Sequence, residues 1–124
     1  MTHTLTIPGR LSGLNEYIDA CRRNPYAANT MKKRNEAAIR SAIIACLRGV
    51  KIDRPVYMRY HWIELDRRRD KDNIAFARKF VQDALVAAKV LHGDGWRHIV
   101  GFGDSFDVDS KNPRVEVEIT EVSQ

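Results

Sequence analysis

The sequence contains little of what marks a secreted, zinc-binding or membrane-inserted protein. Its 124 residues include only two cysteines and four prolines. Cys21 and Cys46 form no Cys-x-x-Cys motif, and no histidine stands near either at the spacing of metal ligands. Neither a zinc site nor a disulfide framework is therefore predicted. We expect both cysteines to pack as small apolar side chains.

Long apolar runs are also missing. No stretch approaches the roughly 20 apolar residues that cross a bilayer. The first eight residues lack the basic segment and the apolar core of a signal peptide. These absences predict a cytoplasmic protein without a membrane partner. Repeats, low-complexity tracts and linkers are absent too, and the length suits one domain over residues 1–124.

The charge balance is basic. There are 21 lysines and arginines against 16 aspartates and glutamates, which gives a net charge of +5 and a pI near 9.5. Such a surface attracts polyanions, and nucleic acid first among them. Many small basic proteins nevertheless bind nothing acidic, so the placement of the charges has to decide whether this chain binds a polyanion.

The hydrophobic pattern predicts an α+β fold. Alternating and β-branched segments predict strands over 2–7, 54–65, 96–107 and 114–122. Apolar residues at helical spacing predict helices over 15–23, from 29 or 30 to a glycine cap at 49, and from 72 or 73 to about 90. This order predicts a single two-layer domain with a mixed sheet of about four strands and two main helices on one face.

Polar residues near the predicted helix starts have two interpretations. Asn15 can cap the first helix or face a substrate. Lys32 and Lys33 fall in the expected first turn of the second helix, where cations oppose the helix dipole, and phosphate binding would explain that cost. Solvated lysines on an exposed face would explain the same residues equally well.

The densest mixture of charges is one seven-residue segment, with the sequence Arg67, Arg68, Arg69, Asp70, Lys71, Asp72 and Asn73. Along an extended backbone, Asp70 and Asp72 point to the same side, as a shared metal ion requires. Carboxylate oxygens favour Mg²⁺ or Mn²⁺ over zinc. Asp72 alone could instead cap the following helix, which would leave Asp70 without a role.

Two further residues extend this candidate site. Lys79 lies seven residues after Asp72, about two helical turns, and can stabilise negative charge on a phosphate or pair with Asp83. Asp94 lies between two glycines, where it can be a third ligand or a turn residue. Spacing alone does not bring Asp94 to Asp70. Together these residues predict metal-dependent hydrolysis of a nucleic-acid strand.

The segment from Arg67 to Asn73, followed by Lys79, Gln-Asp-Ala-Leu at 82–85 and Asp94, resembles the signature of the RusA family of Holliday junction resolvases, which phages and prophages commonly encode. Residues 14–17 are similar to the N-terminal Asn and aromatic segment of that family, and residues 114–119 are similar to its closing strand. The resemblance covers nearly the whole chain.

The resemblance implies a compact α+β homodimer that binds four-way DNA junctions and cleaves paired strands symmetrically with Mg²⁺ or Mn²⁺, without an organic cofactor. It implies metal ligands at Asp70, Asp72 and Asp94, and an essential lysine at Lys79. Two departures stand out. Three extra residues precede Lys79, with Phe76 where an ungapped alignment places the lysine. Asp94 also lacks a second adjoining aspartate.

From the residues and the resemblance together we predict a catalytic set and a phosphate-contacting set. The catalytic set is Asp70, Asp72, Lys79 and Asp94. The phosphate-contacting set is Arg67, Arg68, Arg69, Lys71, Lys32 and Lys33, which would position DNA without reading its sequence. A C2 dimer would match the near two-fold symmetry of the junction. A non-catalytic protein that binds branched DNA and an RNA-directed nuclease remain alternatives.

Overall fold

The computed structural model describes residues 1–123, which form four strands and four helices. Their order is β1 (Thr2–Pro8), α1 (Leu14–Arg23), α2 (Pro25–Cys46), β2 (Val56–Glu64), α3 (Lys71–Ala75), α4 (Arg78–Ala87), β3 (Ile99–Val108) and β4 (Arg114–Glu121). The strands form one sheet in the order β1-β4-β2-β3. β2 and β3 are parallel, whereas β4 runs antiparallel to both of its neighbours. The predicted α+β class with a four-stranded mixed sheet is confirmed.

The core lies between the sheet and the helices, and β2 shows the expected alternation. Its inward residues are at most 1% exposed, namely Val56, Met58, Tyr60 and Trp62. The rings of Tyr60 and Trp62 stack at 5.5 Å. Each large apolar side chain buried in this way contributes about 1.5–3 kcal/mol to the stability of the fold. On the other face of β2, Arg59 is exposed and His61 is half-buried, as the alternation predicts.

The long helix α2 begins earlier than predicted, at Pro25 instead of residue 29 or 30. The Asn24 side chain accepts a hydrogen bond from the Ala27 N–H at 2.8 Å. Pro25 takes the first helical position, where its missing N–H costs nothing. Lys32 and Lys33 therefore lie beyond the second turn of α2, so the predicted cost against the helix dipole is absent.

The helix predicted from residue 72 or 73 is interrupted. α3 ends at Ala75, and α4 begins at Arg78 after a turn at Phe76 and Ala77. The Phe76 ring packs against Tyr17 at 5.2 Å and Phe80 at 5.5 Å. This aromatic contact anchors the turn in the core. The prediction of one continuous helix from residue 72 or 73 to about 90 is therefore wrong.

The cysteines also differ from expectation. Cys21 and Cys46 are both free and exposed, so the prediction that they pack as buried apolar side chains is wrong. Among the described residues, no helix has the length and apolar character needed to cross a membrane.

Candidate active site

A cleft opens at the carboxyl ends of the two parallel strands. Ile63 of β2 pairs with Asp107 of β3, and Glu64 pairs with Val108, so both strands end at the same edge of the sheet. The loop from β2 to α3 borders this edge and completes a cleft of about 650 Å³. Its acidic lining residues are Glu64, Asp66, Asp70, Asp72 and Asp107. Ligand sites commonly form where parallel strands end.

Asp70 and Asp72 lie together at the start of α3 and both line the cleft. Asp70 is the N-cap residue, with φ −67° and ψ 155°, but its side chain makes no capping hydrogen bond. Asp72 lies in the first turn and is not the cap that the alternative interpretation proposed. Within residues 1–123, neither exposed carboxylate forms a hydrogen bond or salt bridge to another side chain. Both are therefore available to an added ligand.

The chemistry of this pair fits Mg²⁺ or Mn²⁺. Mg²⁺ in proteins is usually held by one or two carboxylates, with waters and substrate phosphates completing its shell. Two unengaged carboxylates at one cleft meet that requirement. Across residues 1–123 no group of three His, Cys, Asp or Glu side chains is arranged to hold a metal ion. The predicted triad of Asp70, Asp72 and Asp94 is thus not assembled, and a ligand role for Asp94 stays a prediction.

Asp94 instead lies beside Lys79, the predicted essential lysine, and neither residue lines the cleft. Lys79 Nζ donates to Asp94 Oδ2 at 3.3 Å and forms a salt bridge to Asp83 Oδ1 at 3.1 Å. The predicted Lys79–Asp83 pair is therefore confirmed. The hydrogen bond to Asp83, followed by the one to Asp94, raises the pKa of Lys79 above its ordinary value. The ammonium is consequently charged at neutral pH and can stabilise a phosphate oxygen, but it cannot act as a base there.

Arg69 has a structural role that the sequence did not indicate. Its Nε and Nη2 donate to the two carboxylate oxygens of Glu64 at 3.0 and 2.8 Å. Its Nη1 donates to the Leu11 carbonyl at 3.0 Å and to Glu16 Oε1 at 3.3 Å. Because all three of its nitrogens are engaged and its side chain is only 14% exposed, Arg69 is not free to bind a phosphate. It fixes the loop that ends at Asp70.

The N-terminus of α1 supports the same loop. The N-cap of α1 is Gly13 and not Asn15, so the capping interpretation of Asn15 is wrong. The Asn15 backbone N–H donates to Asn73 Oδ1 at 2.8 Å. A Cβ on Gly13 would lie 2.6 Å from the same oxygen, so only glycine permits this approach. The segment around Asn15 therefore positions α3 and its carboxylates.

The remaining predicted DNA contacts fall on two surfaces. Arg67, Arg68 and Lys71 are exposed beside the cleft, and the Lys71 ammonium lies 5.7 Å from the centre of the Phe106 ring. Lys32 and Lys33 are exposed on α2, outside the cleft lining, and Lys32 pairs with Glu36 at 3.9 Å. Phosphate binding by these lysines stays a prediction.

The cleft contains three acidic residues that the sequence alone did not indicate. Asp107 lies 2.6 Å from His61 Nε2, Asp66 accepts from the Arg68 N–H at 3.0 Å, and Glu64 is 5% exposed beneath Arg69. Asp66 and Glu64 adjoin the arginine run and could have been included for that reason. Asp107 carried no such signal, because only the parallel pairing of β2 with β3 brings it to the cleft.

Comparison of the sequence with known proteins gives no relative. No protein-family model matches the chain, and no curated protein is significantly similar to it.

Replacing Arg69 by alanine is expected to destabilise the fold by about 3 kcal/mol, because the buried Glu64 carboxylate loses its bidentate partner and keeps only Arg10, at 3.8 Å. The loop before Asp70 should loosen as well. Urea unfolding followed by circular dichroism measures the effect. Arg68→Ala is the matched control. Arg68 is 89% exposed, so its removal should change the free energy of unfolding by less than about 0.5 kcal/mol. Equal stability of the two variants would refute the structural role of Arg69.

Proposed function

We propose that the chain is a metal-dependent phosphodiester hydrolase that acts on nucleic acid. The observation that carries the proposal is the pair of unengaged carboxylates, Asp70 and Asp72, at a cleft bordered by cationic side chains. A protein that only bound phosphates would gain nothing from two free carboxylates there, since they repel the same phosphates. A divalent metal ion would reconcile the acidic pair with an anionic substrate.

The residues have separable roles in this proposal. Asp70 and Asp72 would hold Mg²⁺ or Mn²⁺, which when bound polarises a phosphoryl oxygen and lowers the pKa of water. The Lys79 ammonium, kept protonated by Asp83 and Asp94, would stabilise negative charge on the reacting phosphate. Arg67, Arg68 and Lys71 would contact flanking phosphates and set the register of the strand.

More narrowly, we propose a Holliday junction resolvase of the RusA type, which cleaves paired strands in DNA recombination and repair. The RusA-like segment from Arg67 to Asn73 supports the family, and the basic net charge supports a DNA substrate. A homodimer would offer two equivalent sites to a junction with near two-fold symmetry. A dimer contact at the edge strand β3 would cover Val100 and Phe102, which are 54% and 46% exposed.

A second candidate is a non-catalytic protein that binds branched DNA. It is favoured by the separation of Asp94 from Asp70 and Asp72, because the predicted triad is not assembled among residues 1–123. Such a protein would use the arginines and lysines beside the cleft and would need no metal ion.

A cleavage assay distinguishes the candidates. A labelled synthetic four-way junction and a linear duplex of the same sequence are incubated with Mg²⁺, Mn²⁺ or EDTA. The resolvase proposal expects symmetric nicks in the junction alone, with either metal ion and not with EDTA. Junction binding without cuts in any lane would favour the binding protein. Equal cutting of both substrates would mean a nuclease without junction selectivity, and a branched RNA in a parallel lane tests the RNA-directed alternative.

A further inference from the structure

Trp96 is the most exposed large hydrophobic residue of the described chain. It is 99% exposed, and within residues 1–123 its ring makes no aromatic contact. Large aromatic side chains normally bury most of their surface, and leaving an indole in water forfeits about 1.5–3 kcal/mol. An indole presented in this way is available to stack on another flat surface.

The segment that carries Trp96 is held in place by the fold. The Gly95 carbonyl accepts hydrogen bonds from the N–H groups of both His98 and Ile99 at 3.0 Å. The His98 ring packs so closely on Gly93 that a Cβ there would lie 2.8 Å from it. Asp94 is tied to Lys79 at 3.3 Å. The indole is therefore presented from a fixed turn and loses little additional freedom on binding.

The charges around Trp96 indicate the chemistry of its ligand. Arg97 follows it in the chain and is exposed, and the charged Lys79 lies against Asp94, two residues before it. Tryptophan and arginine are enriched at the centres of protein–protein interfaces, but lysine is depleted there, so Lys79 argues for a ligand of another kind. An aromatic ring flanked by cations is instead the arrangement that binds unpaired bases, with the cations on the phosphates and the ring on the base.

We propose that Trp96 is a stacking platform for an unstacked nucleobase of a strand whose phosphates are held at Lys79 and Arg97. This inference rests on the proposed function, and it specifies the substrate further. In a continuous duplex both faces of every base are covered by neighbouring bases, so the indole has nothing to stack on. At a branch point or in a single strand a base face is free. Trp96 thus favours branched or single-stranded DNA over a linear duplex.

The two tryptophans of the chain make this measurable by fluorescence. Trp62 is 1% exposed, and its Nε1–H donates to Asp104 at 2.8 Å, so its emission should not respond to DNA. Trp96 supplies the red-shifted, quencher-accessible emission. In EDTA, which prevents cleavage, we expect a single-stranded oligonucleotide and a four-way junction to quench that emission to saturation. A linear duplex should quench it little, and Trp96→Phe should remove the response.

Binding measured by anisotropy of labelled DNA completes the test. Trp96→Ala should weaken junction and single-strand binding about 5- to 150-fold and leave duplex binding within about twofold. Trp96→Phe should retain most of the affinity, because stacking needs only a π-face. The control is Tyr26→Ala, since Tyr26 is an aromatic residue 82% exposed on α2 and should have no effect.

The outcomes separate this inference from the proposed function. Quenching and the Trp96→Ala defect without any metal-dependent cuts would support stacking and refute the hydrolase. Cleavage with unchanged Trp96 emission and wild-type binding by Trp96→Ala would refute stacking alone. A shift of Trp96 emission with protein concentration in the absence of DNA would identify a contact between copies of the chain and overturn the inference. No binding of any DNA would overturn both.

Discussion

The variant Asp72→Asn is expected to lose at least about 100-fold in metal-dependent cleavage of a four-way junction while its junction affinity stays near that of the wild type. Even residues that only support a metal ligand typically contribute 10- to 100-fold to activity, so loss of a ligand should cost at least as much. Asp72 makes no side-chain hydrogen bond or salt bridge among residues 1–123. Its neutralisation should therefore change the free energy of unfolding by less than about 0.5 kcal/mol.

Single-turnover cleavage under Mg²⁺, with binding measured in EDTA, tests this expectation. Asp70→Asn should behave in the same way, since both carboxylates serve one ion. Asp53→Asn is the matched control, because Asp53 is 85% exposed and pairs only with His92, away from the cleft. Wild-type cleavage by the Asp72 variant would show that the metal site has been assigned to the wrong residues.

A loss of about 100- to 1,000-fold in cleavage is expected for Lys79→Ala, the range typical for removal of one group that stabilises transition-state charge. Its metal affinity should be nearly normal, because Lys79 contacts Asp83 and Asp94 instead of the Asp70–Asp72 pair. Lys79 is 63% exposed, so loss of its salt bridges should cost at most about 1 kcal/mol of stability.

Cleavage rates measured against Mn²⁺ concentration separate the two effects, since a lost ligand shifts the metal dependence and a lost ammonium lowers the maximal rate. Lys79→Arg keeps the positive charge and should recover part of the rate. Lys51→Ala removes an exposed lysine outside the predicted sites and serves as the control. If Lys79→Ala cuts as fast as the wild type at saturating metal, Lys79 serves only to hold the segment that contains Asp94.

Local sequence patterns predicted the secondary structure well where one physical effect dominates. The alternation in β2 and β4 directly reflects one buried face, and the apolar residues at helical spacing in α2 include the buried Ile39, Ala42 and Ile43. The start of α2 was misplaced because Asn-Pro both ends helices and begins them. Whether Asn24 only ends the preceding helix or also caps the following one depends on how the segments on its two sides pack in the fold.

The break between α3 and α4 could not be predicted from the sequence for a related reason. Residues 74–85 keep helical apolar spacing throughout, so periodicity favours one helix. At the interruption, Phe76 packs against Tyr17 of α1 at 5.2 Å, a contact that periodicity within the segment does not predict. Contacts with a separate helix decide such a feature, and intrinsic helix propensity is too weak to oppose them.

By itself, the sequence determined the fold class, the Asp70–Asp72 pair and the cations beside it, because these depend on residues close together in the chain. Only the tertiary structure decided which long-range partners they meet. It joined Arg69 to Leu11 and Glu16, Asn73 to the backbone of Asn15, and Lys79 to Asp94. It also brought Asp107 to the cleft through the parallel pairing of β2 and β3. Such contacts depend on how distant segments pack, which local residue patterns do not encode.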